Sequence, residues 1–164
     1  MKHTFSRKLT RWAGSRGPRN TFGDFVCMVC HNHVSAEVVI SGVNNRNHCP
    51  YCLSSRHLDL SEAGDRLSAC KSSMRPIALT LKKTAKRYSN AGQGELMLVH
   101  LCDECGKLSI NRIAADDDLT AILEVLGRSG WLGKDTKLTL TQSGIVILEA
   151  GDLALVAEQL YGSN

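Results

Sequence analysis

Short apolar runs bounded by turn-forming residues characterise the middle of this chain. Three of them are β-prone, at 37–40, 77–81 and 96–99, and a Ser-Gly pair after the first run and the segment 90–94 supply turn signals. We expect the second and third runs to pair as a hairpin. The connection of that hairpin carries four cations and one aromatic ring: Lys82, Lys83, Lys86, Arg87 and Tyr88.

Beyond residue 112 the spacing of apolar residues changes to that of a helix. An amphipathic helix is predicted over 119–126, because four apolar residues recur at i, i+3, i+4 and i+7: Leu119, Ile122, Leu123 and Leu126. The aspartates at 116–118 supply a cap and charges that suit the helix dipole, and Gly127 is the expected end.

The remainder of the C-terminal part predicts one more helix and one hairpin. The helix is expected over 152–160, where the apolar positions are less regular. The hairpin is expected to pair 137–141 with 145–148 around a Ser-Gly turn at 143–144.

The charges of the chain are unevenly distributed and divide it into three zones. The formal net charge is +4 over 164 residues, but residues 1–20 alone carry +6 with no acid, residues 21–112 carry +3 and residues 113–164 carry −5. The first zone is rich in Gly, Ser and Arg, so we expect a basic tail over 1–21 that is disordered when free. A Cys- and His-containing zone over 22–112 and an acidic C-terminal segment over 113–164 follow.

Composition favours a globular protein outside the membrane. Hydrophobic residues make up 43% of the chain and aromatic residues only 5%, so a large aromatic core is not expected. No stretch approaches the roughly 20 apolar residues of a membrane span, and the N-terminus lacks the apolar region of a signal peptide. We therefore expect a cytoplasmic location, where a reducing environment favours metal ligation over disulfides for spaced cysteines.

Two Cys-x2-Cys pairs predict a first zinc site. Cys27 and Cys30 are separated by 18 residues from Cys49 and Cys52, which is the spacing of a four-thiolate site on two zinc knuckles. Two residues between the cysteines let both sulfurs of one tight turn reach the same tetrahedral ion. The surroundings lack the βαβ pattern of a redox pair.

A second site is predicted from the remaining three cysteines and one histidine. Cys102 and Cys105 form a third pair, and Gly106 behind it tolerates the positive φ of a knuckle. Cys70 would be the third thiolate. We expect His100 as the fourth ligand because it lies two residues from Cys102 on the same face of a strand, and we keep two histidines as alternatives: His57 and His48. Two other interpretations remain open: Cys70 belongs to the first cluster, or it is a buried apolar residue and the third pair is metal-free.

The segment around the second pair resembles a known family. Residues 46–50 read Arg-Asn-His-Cys-Pro, and further matches follow in family order over about 24–118, among them Gly64, Cys70, His100 and the 102–106 pair. The chain is therefore similar to the RNHCP-domain family of small zinc-ribbon-like proteins. It departs from such ribbons at His31, where they usually have glycine. The resemblance implies zinc binding and carries no particular activity.

Taken together, these observations predict an α+β protein. We expect a small zinc-ribbon-like β domain with two zinc knuckle sites, followed by a short helical and β C-terminal segment with two helices. Zinc, two ions per chain, would supply folding energy to a zone that is poor in large apolar residues.

A binding module associated with RNA or the ribosome is the expected function. Sites with four protein ligands leave no open position for catalysis, so we do not expect an enzyme, and the His-x-Glu pattern of zinc deaminases is missing. Basic residues of the tail and of the hairpin connection are candidates to contact phosphates: Arg7, Lys8, Arg11, Arg16, Arg19, Lys82, Lys83, Lys86 and Arg87.

Two further features allow more than one interpretation. A polar set around the second pair either recognises a ligand or supports the metal sites: Arg46, Asn47, His48, Arg56, His57, Asp59, Asp65 and Arg66. The helix over 119–126 either packs on its own domain, which we favour, or docks a protein partner as an adaptor.

Overall fold

The computed structural model describes residues 23–83 and 94–162. In this part of the chain there are seven strands and four helices. The strands are β1 (Phe25–Val26), β2 (His33–Val34), β3 (Ser55–Arg56), β4 (Ser73–Lys82), β5 (Glu95–Cys102), β6 (Leu108–Arg112) and β7 (Ile147–Leu148). The helices are α1 (Val38–Ser41), α2 (Leu119–Ser129), α3 (Lys134–Gln142) and α4 (Leu153–Tyr161), and a 3₁₀ turn at Ala150–Asp152 precedes α4.

The main sheet is built around the predicted hairpin, which is confirmed. β4 and β5 pair antiparallel from Met74 opposite Cys102 to Lys82 opposite Glu95, with a bulge at Ile77. β6 pairs antiparallel with β5 on the far side from β4. The other edge of β4 is shared, because β3 pairs with its beginning and β7 with Leu79 and Thr80 near its end. β1 and β2 form a separate two-stranded ribbon.

The C-terminal helices close the core of the sheet. Leu79 and Leu98 lie on one face and pack in one buried cluster with Ile122 and Val125 of α2 and with Val156 of α4. The apolar face of α2 is therefore buried within its own domain, as we favoured. Residues 113–162 share this core with the Cys- and His-containing zone and do not form a unit of their own.

Both predicted C-terminal helices are confirmed, with α2 longer than expected. Gly127 does not end α2, which continues to Ser129. The Ser129 hydroxyl is buried and lies 2.7 Å from the carbonyl oxygens of both Leu126 and Leu148, so its one proton is donated to one or the other. At the start of α2, Asp118 accepts a hydrogen bond from the Ala121 amide and is the predicted cap.

Two short strand predictions are wrong. Residues 38–41 form the single-turn helix α1, and Gly42 in the left-handed conformation caps its end. Residues 137–141 lie in helix α3, so the C-terminal segment has three helices and no hairpin over 137–148. The spacing of the two leucines over 137–141 fits a helix as well as a strand. In the helix, Leu140 is the one buried residue of α3, and it packs against Ile77 and Val99 on the second face of the sheet.

Among the described helices, none combines the length and the apolar character needed to cross a membrane.

Candidate metal centres

The four cysteines of the first predicted site lie together. Their sulfur atoms are all within 4.8 Å of one another, with Cys27 Sγ 3.6 Å from Cys52 Sγ and Cys30 Sγ 3.5 Å from Cys49 Sγ. A tetrahedral zinc ion with Zn–S bonds of about 2.3 Å requires sulfurs about 3.8 Å apart, whereas a disulfide requires about 2.05 Å. The arrangement fits one ion held by four thiolates and does not fit disulfides.

All three Cys-x2-Cys pairs have the same local backbone geometry. The amide of the first cysteine donates to the carbonyl five residues later at 2.9 Å in each case, for Cys27, Cys49 and Cys102. The carbonyl of that cysteine accepts from the residue after the second cysteine, at 2.9 to 3.1 Å. Each pair is therefore a closed turn that presents two sulfurs on one side, which is what a zinc knuckle requires.

The residue after each knuckle adopts a positive φ. Gly106 has φ 70°, as its position predicts, but His31 has φ 60° and Leu53 has φ 57°. The departure at His31 thus leaves the shape of the first knuckle intact. A side chain in this region costs roughly 1–2 kcal/mol, which the closed turn and its metal ligands must offset.

The protein environment alone does not ionise all four thiols of the first site. Burial disfavours the thiolate of Cys30, but hydrogen bonds from Asn32 and from the Cys49 and Cys52 side chains together outweigh it and lower the Cys30 pKa to about 6. Burial dominates at Cys49 and raises the pKa of that thiol far above its usual range. A zinc ion supplies the positive charge that keeps such a buried sulfur deprotonated.

The second cluster consists of Cys70, Cys102, Cys105 and His57. Cys70 Sγ lies 3.6 Å from Cys102 Sγ, and Cys105 Sγ lies 3.3 Å from His57 Nδ1. These distances fit a tetrahedral ion with three sulfurs at about 2.3 Å and one nitrogen at about 2.0 Å. The cluster forms where β5 ends, next to β3 and the start of β4, and the His57 amide fixes this junction by donating to the Ser72 carbonyl at 2.8 Å.

His57 is suited to ligate through Nδ1. Burial, followed by the nearby charge of Lys107, lowers the pKa of His57, so the ring is neutral and one nitrogen carries a lone pair. The other nitrogen, Nε2, is buried without a hydrogen-bond partner in the described chain. Neutral imidazole and thiolates are the ligands of a structural Cys3His zinc site.

The expectation that His100 completes the second site is corrected. His100 is fully buried, its Nε2 lies 2.7 Å from the Leu53 carbonyl oxygen, and its Nδ1 lies 2.9 Å from the Asn111 side-chain nitrogen. Burial lowers the pKa of His100 to about 3, which keeps the ring neutral. His100 and Cys102 do share a face, but both ring nitrogens of His100 are engaged by other groups, and the cluster that contains Cys102 takes its imidazole from His57. Instead of ligating zinc, His100 holds the carbonyl that follows the second knuckle.

The Arg-Asn-His-Cys-Pro segment is buried and ties the second knuckle to the start of α2. The Arg46 guanidinium donates to both Asp116 carboxylate oxygens at 2.7 and 2.8 Å and to Asp117 at 3.1 Å. His48 Nε2 lies 2.9 Å from the Asp117 carboxylate, so His48 is not a ligand of either cluster. Two of the three acids at 116–118 therefore bind this segment, and only Asp118 caps the helix.

The polar residues between the two sites also have structural partners. Asp65 accepts hydrogen bonds from four backbone amides at 2.8 to 3.0 Å, which hold its pKa far below the usual range: those of Leu60, Ser61, Glu62 and Leu67. Asp59 accepts from the Gly64 and Arg66 amides. Arg56 is exposed, and its Nε donates to the Lys71 carbonyl at 3.0 Å. Most of the polar residues around the second Cys-x2-Cys pair therefore support the structure around the metal sites, which was one of the two interpretations of this set.

Of the predicted phosphate contacts, the structure places only Lys82 and Lys83, which are exposed at the end of β4. The other seven lie outside the described residues: Arg7, Lys8, Arg11, Arg16, Arg19, Lys86 and Arg87.

Both clusters offer four protein ligands to one ion, so neither leaves a position for a reacting water. Thiolate and imidazole donors in tetrahedral array suit zinc. The chain therefore has two sites for structural zinc ions.

The chain matches a protein-family model. The family described as RNHCP domain matches residues 22–123, which is more than half of the chain. Searches of curated proteins and of solved structures gave no match.

Proposed function

The chain belongs to the RNHCP-domain family, and from this premise we propose that it is an accessory protein that binds RNA, either free or in the ribosome, without catalysing a reaction. The zinc ions support the fold in this proposal. The closed donor sets favour it, because catalytic zinc requires a position open to water or substrate.

The proposal rests mainly on the charge of the basic tail and on the position of Gly23, at which this tail joins the zinc domain. Residues 1–20 hold six cations and no acid, and they lead to Gly23, which lines a groove beside the first knuckle. Two bound Zn²⁺ ions with seven thiolates lower the formal charge of the chain by three, from +4 to +1. The positive charge of the loaded protein is therefore concentrated in a segment attached at one surface, which suits contact with a phosphate backbone.

Binding to a single-stranded RNA tests this proposal. If the tail neutralises six phosphates, the logarithm of the binding constant should fall with the logarithm of salt concentration with a slope of about −4. Affinity should then drop by about two orders of magnitude between 50 and 200 mM salt. Fluorescence anisotropy of a labelled oligonucleotide measures both.

Deletion of residues 1–20 should remove most of this salt dependence. A variant with Lys134 and Lys137 replaced by alanine is the control, because these cations lie on α3 in the acidic segment. If the full chain binds neither RNA nor ribosomes, the proposal is wrong. Equal binding of RNA by the full chain and the deletion would show that the tail does not make the phosphate contacts.

A protein adaptor remains the second candidate, and one observation favours it. Trp131 follows α2 and is 89% exposed, and large exposed tryptophans are typical of protein interfaces. If the protein without its tail still cosediments with ribosomes, and Trp131→Ala abolishes that binding, the adaptor function is the better description.

A further inference from the structure

Strand β6 is a free edge of the main sheet. It pairs with β5 along its whole length, from Leu108 opposite Leu101 to Arg112 opposite Met97. Within residues 23–83 and 94–162, no strand pairs with its other side. An edge strand presents backbone N–H and C=O groups to which a further strand can bind.

The hydrogen bonds at the Cys102 knuckle show which residues of β6 face outward. The Cys102 amide donates to the Lys107 carbonyl at 2.9 Å, in the register that β5 and β6 continue. Antiparallel strands exchange hydrogen bonds at every second pair, so the backbone groups of Ser109 and Asn111 point to β5. The amides and carbonyls of the alternate residues therefore point away from the sheet: Leu108, Ile110 and Arg112. None of these six groups has a hydrogen-bond partner among the described residues.

Two clefts border β6. The first is lined by residues 108–111 of the strand and by the loop at 57–63, and the second is lined by residues 110–112 and by residues of the segment 43–48. Because every residue of β6 lines at least one cleft, the strand is accessible along its length.

The surroundings of this edge are positively charged. Three cations that line the clefts form no ion pair among the described residues: Arg56, Lys82 and Lys107. Arg112 also lines the second cleft and is paired with Glu95 at 3.3 Å. Of the two acids that line the clefts, Asp59 accepts two backbone amides and lies 3.7 Å from the Arg66 guanidinium, which leaves Glu62. The remaining excess of positive charge favours an anionic partner.

A buried donor in the first cleft also requires an acceptor. His57 lines this cleft, and its Nε2 has no hydrogen-bond partner in the described chain. When Nδ1 binds zinc, Nε2 carries the proton of the neutral ring, and zinc-bound imidazoles usually donate this proton to a carboxylate, a carbonyl or a water. A ligand that brings a carboxylate to this end of β6 supplies the acceptor.

The two faces of β6 favour different side chains in an added strand. Leu108 packs against the apolar cluster that contains Ile77, so an added strand extends this face with apolar residues. Ser109 lies on the other face, 3.7 Å from the sulfur of Met74, which lines the first cleft together with His57. Side chains alternate between the faces of a strand, so the expected partner alternates apolar with acidic residues.

Charge argues against a strand from this chain. A second copy of β6 would bring two positively charged edges together, which is unfavourable. The segments 1–22 and 84–93, which lie outside the described residues, hold six and two cations and no acid. The partner is therefore expected in another protein.

We propose that the edge of β6 binds an acidic, extended segment of another protein, which adds a strand to the main sheet. Main-chain hydrogen bonds to Leu108, Ile110 and Arg112 hold the segment, and its carboxylates face the cations that line the clefts. This interaction is independent of RNA binding and goes beyond the function proposed above.

The test uses the full-length, zinc-loaded protein and a labelled heptapeptide of alternating glutamate and valine. Two peptides of the same length are controls: one has lysine in place of glutamate, and the other keeps the glutamates but has every backbone amide methylated. The first peptide should bind at least about 10-fold more tightly than either control, because lysine reverses the charge and methylation removes the donors to the β6 carbonyls. Fluorescence anisotropy measures the three affinities.

Hydrogen exchange locates the contact at single residues. A saturating concentration of the glutamate peptide should slow the exchange of the Leu108, Ile110 and Arg112 amides at least about 10-fold, because these amides gain a hydrogen bond. The amides of Ser109 and Asn111 already bind to β5 and should change by less than about 2-fold. Backbone NMR spectra resolve these five amides.

Two variants with matched controls test the backbone and the charge separately. Ile110→Pro removes an outward donor without removing a hydrogen bond to β5, so it should weaken binding of the glutamate peptide about 10-fold, whereas Ile110→Val should not. Lys82→Glu should weaken binding of the glutamate peptide and strengthen that of the lysine peptide, each several-fold. Lys134→Glu, an exposed change on α3, should do neither. A zinc content of two ions per chain verifies that each variant is folded, and Lys82→Glu decides if Ile110→Pro does not fold.

Three outcomes would overturn the proposal. Slow exchange of the Leu108, Ile110 and Arg112 amides in the free protein would mean that this chain or a second copy already covers the edge. Equal affinity for the three peptides would mean that the contact is not strand pairing. Protection of the same amides by an oligo(U) 12-mer, and not by the glutamate peptide, would assign the edge to RNA.

Discussion

Arg46 and Asp117 form an ion pair in the interior of the protein, with the guanidinium Nη2 3.1 Å from the carboxylate Oδ1, although 71 positions separate them in the chain. Neither side chain has any exposed surface. The pair joins the Arg-Asn-His-Cys-Pro segment to the residues that begin α2. The segment is therefore a structural connection between the first zinc site and the core of the sheet.

Removing the arginine should destabilise the protein strongly. Arg46→Met leaves the Asp117 charge buried beside His48, and breaking a buried pair in this way costs about 3–5 kcal/mol of unfolding free energy. Urea denaturation of the zinc-loaded protein measures the loss. Lys134→Met serves as the control, because Lys134 is exposed on α3 and a surface change should cost less than about 0.5 kcal/mol. Adding Asp117→Asn to Arg46→Met should recover part of the loss, and no recovery would contradict the pairing.

The identity of the fourth ligand at the second site can be tested by zinc content. His57→Ala should lower the count from two ions per chain to one in native mass spectrometry, because the cluster loses one of four donors. His57→Cys should restore two ions, since a fourth thiolate can take the place of the imidazole. His100→Gln should keep both ions and lower stability by removing the contacts with Leu53 and Asn111. A single ion in the His100 variant would reverse the assignment.

Loss of one thiolate at the first site should unfold much of the chain. Structural zinc contributes on the order of 10 kcal/mol, comparable with the whole stability of a small domain. Cys49→Ser should therefore abolish the cooperative thermal transition seen by circular dichroism, and a strong chelator should do the same to the unaltered protein. Cys105→Ser, at an exposed ligand of the second site, should be milder. A stable, zinc-free Cys49 variant would show that the metal is not needed for folding.

Asp65 should order its own loop without affecting the global fold. Asp65→Ala removes the acceptor of four backbone amides, so we expect those of residues 60–62 and 67 to exchange hydrogen at least ten times faster. The exchange of amides in β4 and β5 should be unchanged, because local openings are independent of global unfolding. Asp65→Asn keeps one acceptor oxygen and should have an intermediate effect. Faster exchange throughout the sheet would mean that this loop belongs to the cooperative core.

The prediction from sequence is best where the determining contacts are local. The Cys-x2-Cys spacing, the positive φ at Gly106 and the cap at Asp118 depend on residues within about five positions of one another, and the structure has each of them. The β4–β5 hairpin follows from two β-prone runs joined by a turn signal. The helices α2 and α4 follow from the spacing of apolar residues over one or two helical turns. For 137–141 the same criterion failed, since five residues with two leucines fit either period.

By itself, therefore, the sequence determined the four-cysteine zinc site, the knuckle turns, the β4–β5 hairpin and the helices α2 and α4. Only the tertiary structure decided which imidazole joins the second cluster, which acids neutralise Arg46, and that Asn47 lines a groove beside the first knuckle. These relationships join segments about 20 to 70 residues apart, and whether two such segments approach to within 4 Å depends on how strands and helices pack. The sequence favours His100 as the ligand because it lies close to Cys102 in the chain, but only His57 lies at the junction of β3, β4 and β5 where the three thiolates meet.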